Sequence, residues 1–163
     1  MKRASHIHPA GQWPQATAIG IVTLPYGDRH RRRLRMTTDK GESFLLDLDR
    51  ATLLHEGDGL RLDDGSWIQV SAAPEDVVDV SGGTAQATAR LAWHLGNRHL
   101  PVQILDSGAI RFQYDHVIEA MVRGLGGTTT RSMAPFSPES GAYDSGGHGH
   151  QHSHDHGDGT AHE

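Results

Sequence analysis

The stretch "APEDVVDVSGGTAQATARLAWHLGNR", residues 73–98, decides the fold, because the hydrophobic period changes inside it. After Pro74, "EDVVDV" (75–80) reads as a strand. "GGTAQATARLAWHLGNR" (82–98) then reads as a helix with Thr84 as N-cap and a stop at Gly96-Asn97. Working outward toward the C-terminus, "LPVQILD" (100–106) and "AIRFQY" (109–114) read as two strands joined by a tight Ser107-Gly108 turn. Asp115 is placed to cap a second helix, "HVIEAMVRGL" (116–125). Its Val117, Ile118, Met121, Val122 and Leu125 fall on one apolar stripe. Gly126-Gly127 end that helix, and "TTTRSMAPF" (128–136) supplies a last strand. The order β-α-β-β-α-β is the split βαβ, or ferredoxin-like, arrangement.

Working outward toward the N-terminus, Thr17 to Ala73 carries only strand signals. The runs "TAIGIVTL", "RRRLRMTT", "ESFLLDL", "GLRL" and "SWIQVSA" are separated by turn signals at 26–28, 39–41, 56–59 and 63–65. Asp64-Gly65 is a strong hairpin signal, since glycine accepts the positive φ that such turns need. A small β-sandwich or barrel of two packed sheets is expected here. From Pro138 onward Gly, Ser, Asp and His dominate without periodicity, and disorder is expected in the absence of a ligand. The expected fold class is therefore α+β. An all-β small domain (1–74) precedes a ferredoxin-like domain (75–137) and a disordered His-rich tail (138–163). Each half is small for an independent core, so self-association would help both.

Composition narrows the chemistry. The chain of 163 residues has a formal net charge of −5, which argues against nucleic acid as a partner. No apolar run approaches the ~20 residues that span a bilayer, so no membrane is expected. "MKRASHIHPAGQW" (1–13) has no apolar stretch behind its basic residues, so no secretory signal is read and a cytoplasmic location is expected. There are no cysteines, which removes disulfides, thiolate metal sites and thiol catalysis together. A bound metal must then be held by histidine nitrogen and carboxylate oxygen.

Histidine is the abundant ligand, with 13 in the chain. "GGHGHQHSHDHGDGTAHE" (146–163) places His148, His150, His152, His154 and His156 at every second position, interleaved with Gly, Gln, Ser and Asp. That interleaving reads as a native segment; a purification tag would be an unbroken run. Neutral imidazole suits Ni, Zn and Cu, and a flexible alternating strand offers overlapping sites that must be ordered on binding. A chain of ~14 residues has an r.m.s. reach of roughly 20 Å, enough to bring a tail histidine to the folded body. His99 lies just past the helix stop, where an isolated histidine reads first as an ordinary polar loop residue and only second as a ligand. His94, beside Trp93, reads as a packed histidine. At "YDH" (114–116) capping is the expected role of Asp115, while His116 stays open between exposed residue and ligand. "DRHRRRLR" (28–35) would place Arg31, Arg33 and Arg35 on one strand face, which reads as a solvated face or a dock for an acidic protein. No nucleophile triad, phosphate loop or HExxH helix is present, so no enzyme activity is expected and a His-dependent hydrolase is disfavoured.

The elements "GNRHLPVQI" (96–104), "IRFQYDHVIEAMVRGLG" (110–126), "PFSPESGAY" (135–143) and the His-rich terminus together resemble the UreE family of urease accessory nickel chaperones. "LPYGDRHRRRLRMTTDKGESFLLDLDRATLLHEGDGL" (24–60) is similar to that family's N-terminal domain, so the resemblance covers nearly the whole chain. It implies a β-rich peptide-binding domain followed by a ferredoxin-like metal-binding domain that forms a homodimer. It implies that His99, closing the GNRH motif, meets its twin near the two-fold axis and shares one Ni²⁺, with tail histidines completing the coordination. His116 matches a further family ligand, whereas Tyr114 stands where some relatives have histidine, which weakens a secondary site there. The implied partners are the urease accessory GTPase and the urease apoprotein complex. Zinc or copper would also bind in vitro. Binding is expected to fail as pH falls below about 6.5, where unperturbed imidazole protonates. The competing expectation is a nickel, zinc or copper buffer without directed transfer.

Overall fold

The computed structural model of the chain describes residues 1–140. The expectations for His148, His150, His152, His154 and His156, and for a disordered tail beyond Ser140, lie outside the described residues; Pro138 to Ser140, expected to belong to that tail, are described, and Glu139 is hydrogen-bonded to the body.

The first half forms one six-stranded mixed sheet, not two packed sheets. Its strands are β1 (Lys2–His8), β2 (Ala18–Leu24), β3 (His30–Thr37), β4 (Ser43–Leu53), β5 (Gly59–Leu62) and β6 (Trp67–Ala72), in spatial order β2-β6-β5-β1-β4-β3. One cluster buries Ala4, Val22, Met36, Phe44, Leu46, Leu48, Leu60, Leu62, Ile68 and Val70, so every strand contributes to a single core. A lone sheet achieves that only by curling on itself, which explains why the alternation suggested two layers. Strand β1 was not legible, because in "KRASHIH" only Ala4 is buried. It nevertheless sits inside the sheet, parallel to β4 and antiparallel to β5.

Two further differences concern the arginine-rich stretch. "YGDR" is not a turn but a short helix, α1 (Tyr26–Arg29), so Arg29 leaves the strand and is buried. A bulge between Arg31 and Arg33 then breaks the expected alternation along β3. Arg3 and Arg33 flank Asp47 at 3.4 and 3.6 Å, and Arg31 pairs with Asp28 at 2.5 Å, so part of the positive charge is neutralised within the sheet.

The second half follows the expected order. Strands β7 (Pro74–Ser81), β8 (Gln103–Ile104), β9 (Ile110–Gln113) and β10 (Thr128–Pro135) form an antiparallel sheet in order β10-β7-β9-β8. Helix α2 (Ala85–Asn97) joins β7 to β8, and α3 (His116–Gly124) joins β9 to β10. Pro74 opens β7, a position where the missing N–H costs no ladder bond. Val78, Val80, Ile110 and Phe112 from the sheet meet Leu91, Leu95 and Val122 from the helices in the second core. "DDG" (63–65) and "DSG" (106–108) both make three-residue turns closed by a glycine at φ +82°. Strand β8 is only two residues long, shorter than "LPVQILD" suggested, because Leu100 and Val102 pack against the core beside it.

The halves are tied at one point. The buried Arg29 guanidinium donates to the Phe136 carbonyl and to Ser137 Oγ (3.3 Å), while Tyr26 meets the Phe136 ring edge-on at 5.5 Å. The Tyr26 N–H donates to Glu75 at 2.8 Å, and Gln113 donates to the other Glu75 oxygen at 2.9 Å. Burial pulls the Arg29 pKa down, opposed by the charges of Glu75 and Glu56. Beyond Phe136 the chain stays anchored: Ser137 N–H donates to the Gln103 side chain, and Glu139 N–H to the Val102 carbonyl.

Candidate metal centre

Helix α2 delivers His99. Thr84 caps its start by accepting from the Ala87 N–H at 3.1 Å, as its side-chain chemistry predicts. Leu91 and Leu95, one turn apart, bury its inner face, leaving Trp93 64% exposed on the outside. The helix runs through Gly96 and Asn97, and the residue that stops it is His99 itself. His99 has φ +54°, the only positive φ among the described non-glycine residues. Its N–H donates to the Gly96 carbonyl at 2.9 Å, and Leu100 next to it packs onto the core cluster. This is the left-handed C-terminal cap that glycine ordinarily supplies, and it costs an L-residue roughly 1–2 kcal/mol. The side chain is exposed and makes no hydrogen bond among the described residues.

His116 is also exposed, as the first residue of α3. Asp115 caps that helix, its Oδ1 accepting from Val117 N–H at 2.8 Å and Ile118 N–H at 3.0 Å. Asp115→Ala is therefore expected to cost about 1 kcal/mol, read as a lower urea midpoint. An unchanged midpoint would mean that the cap contributes nothing to the stability of α3. Tyr114 is half-buried on the second core, with the Arg131 guanidinium 3.4 Å from its ring centre. Arg131 in turn grips Asp76 through two hydrogen bonds, which hold that carboxyl below its usual range. The face carrying Tyr114 is thus built for packing.

His94 is half-buried against Trp93, with ring centroids 5.0 Å apart, in keeping with a packed residue. Among the described residues no three His, Asp or Glu side chains are grouped closely enough to hold a metal. His99 and His116 are each presented outward without a completed donor set. Two features carried no sequence signal: the burial of Arg29, and the left-handed conformation of His99 in place of the glycine three residues earlier.

The family model described as "UreE urease accessory protein, N-terminal domain" matches residues 3–73, and that for the C-terminal domain matches residues 75–163. The chain is 54% identical over 143 residues to "Urease accessory protein UreE" of Rhodopseudomonas palustris (strain HaA2), covering 88% of this chain and 66% of that protein. It is 49% identical over 148 residues to the protein of the same name from Bradyrhizobium sp. (strain ORS 278), covering 91% and 70%. A third, from Beijerinckia indica, is 45% identical over 147 residues, covering 90% and 84%. The match thus spans about two thirds of the length of the first two relatives.

Proposed function

Since the chain belongs to the UreE family of urease accessory proteins, we propose that it carries Ni²⁺ to the urease assembly complex during urease maturation, without catalysing a reaction itself. Two copies associate through the second domain (75–137) and share one Ni²⁺ between their His99 rings. Histidines of the tail (138–163), His148 to His156, gather the metal and supply further ligands, and His116 offers a secondary position. The first domain (1–74) docks partner proteins, namely the accessory GTPase and the urease apoprotein, in the cytoplasm. Zinc and copper bind the same imidazoles in vitro, since the Irving–Williams order places copper above nickel.

One observation carries this reading: a histidine whose exposed ring has no hydrogen-bond partner among the described residues occupies a backbone position that favours glycine. One imidazole is a poor site, and a symmetric pair is a sound one. The outer face of α2 supports the pairing. Gly96 lies inside the helix, its φ is not positive, and a Cβ there would meet nothing within 4 Å. An exposed helical glycine costs about 1 kcal/mol relative to alanine, so a reason outside this chain is indicated. Trp93, three residues earlier on the same face, adds exposed apolar surface next to it. Imidazole ligands on a loop and a tail can leave one at a time, which suits release to a receiver.

The test is activation of urease apoprotein by the Ni²⁺-loaded full-length chain. Replacing His148, His150, His152, His154 and His156 together with alanine is expected to lower the Ni²⁺ bound per chain by half or more while activation persists at a reduced rate. His99→Ala is expected to abolish activation. A metal store without directed transfer gives the opposite pattern, with activation following total bound Ni²⁺ and insensitive to His99.

A further inference from the structure

The strands that end the two sheets do not present alike edges. At β2, the Asp39 N–H donates to the Ile21 carbonyl at 2.8 Å, and the Asp39 carboxylate accepts from the Thr23 N–H and hydroxyl at 3.2 and 2.7 Å. Strand β8 has two residues, and Glu139 accepts its Ile104 N–H at 3.1 Å. Strand β10 is long, but its one charged residue, Arg131, is already held by Asp76 and Tyr114. Strand β3 differs from all three. It is bonded to β4 alone, and among the described residues no other backbone hydrogen bond reaches Arg31 to Thr37. On the outer strand of an antiparallel pair, alternate N–H and carbonyl groups point away from the sheet, open to a further strand.

The side chains along that edge carry positive charge that the sheet does not balance. Arg33 stands opposite Asp47 and Arg35 opposite Leu45, while Arg3 of β1 flanks the same Leu45 from the other side. Paired residues share a sheet face, so Arg3, Arg33 and Arg35 lie together on the outer face, with the buried Phe44 and Leu46 turned inward. Arg3 and Arg33 divide one carboxylate, Asp47, and Arg31 takes Asp28. Among the described residues Arg32 and Arg35 have no carboxylate within salt-bridge distance; Arg35 reaches the Ser43 hydroxyl at 3.4 Å. Arg32, Arg33 and Arg35 are exposed, and Leu34, on the opposite face, is 39% exposed. In a chain of net charge −5 this is a segregated field, which selects among partners by sign.

Charge on an edge strand keeps copies of a protein from pairing edge to edge. The same arginines that repel a second β3 attract a strand of opposite charge, so they decide the occupant.

We infer that the free edge of β3, from Arg31 to Arg35, docks an extended acidic segment of a partner protein, which joins the sheet as a seventh strand. Carboxylates at alternate positions of that segment lie over Arg33 and Arg35, and the apolar side chain between them meets Leu34. Main-chain hydrogen bonds give such a contact its affinity, and the alternating side chains give its specificity. The inference rests on the reading of the first domain as the docking unit and names the strand that does it.

The experiment titrates ¹⁵N-labelled full-length protein with an alternating Glu-Val octapeptide, read by backbone amide shifts, amide exchange and calorimetry. The amides of Arg31 to Arg35 are expected to shift, and their exchange to slow by at least about tenfold. Arg33→Gln with Arg35→Gln, both at exposed positions, is expected to lower affinity about tenfold. An octapeptide with N-methylated peptide bonds keeps the charges but cannot form the ladder, and is expected not to bind. Equal affinity for it, or for a Lys-Val octapeptide, would overturn the added strand. So would binding of a single-stranded oligonucleotide at Arg31 to Arg35 where the Glu-Val peptide does not bind. Shifts elsewhere in residues 1–74 but not at 31–35 would overturn β3 as the edge and leave docking by the first domain standing. Shifts confined to residues 75–137 would count against both.

Discussion

His99→Ala in the full-length chain is expected to lower affinity for the Ni²⁺ that the proposal places between two chains by at least about a hundredfold, or about 2.7 kcal/mol. On that proposal one substitution removes two ligands, because each chain would contribute the same residue to an isologous contact. Stability should respond differently. Since His99 sits at φ +54°, His99→Gly is expected to raise unfolding stability by roughly 0.5–1 kcal/mol: relief of the left-handed cost outweighs the extra freedom of glycine in the unfolded chain. His99→Ala keeps the strain and should leave the urea midpoint nearly unchanged. Affinity and stability moving in opposite directions at one position is the signature of a residue held for its ligand. A large loss of stability in both variants would make His99 a structural cap.

The second large effect belongs to Phe136. It is fully buried and belongs to neither principal core; it sits at the junction of the halves, edge-on to Tyr26. Phe136→Ala is expected to cost about 3–5 kcal/mol, as for other fully buried aromatic rings. It should also speed amide exchange at Ser137 and Glu139, whose N–H groups bond to Gln103 and Val102. Arg29→Met separates the ring from the charge. Arg29 is 1% exposed, has no carboxylate within salt-bridge distance, and its Nε has no partner among the described residues. An apolar side chain of similar length leaves the Phe136 carbonyl without that donor and should cost about 1–3 kcal/mol, less than loss of the ring. If Arg29→Met costs as much as Phe136→Ala, the hydrogen bond to the Phe136 carbonyl is the anchor.

How far the sequence carried these conclusions depended on whether a feature has a local cause. The caps at Thr84 and Asp115 and the two glycine-closed turns were legible because each is settled within four residues. The order of the second sheet followed from the alternation of strand and helix periods, to which the split βαβ connection gives one arrangement. Strand β1 was hidden because its place in the sheet needs only the small Ala4 on the inner face, so no apolar alternation marks it. Arg29 was hidden because its burial depends on Phe136, more than a hundred residues away. His99 was singled out as a candidate on residue type and motif, but its strained backbone was not foreseen, since Gly96 and Asn97 are the more obvious helix stops.

The central claim is that one metal ion is shared by two copies of His99. It is tested most directly by native mass spectrometry of the full-length chain with His148, His150, His152, His154 and His156 replaced by alanine, titrated with Ni²⁺. One Ni²⁺ per two chains, lost when His99→Ala is added, is the predicted result. One Ni²⁺ bound per single chain, or a two-chain species whose Ni²⁺ survives His99→Ala, would contradict it.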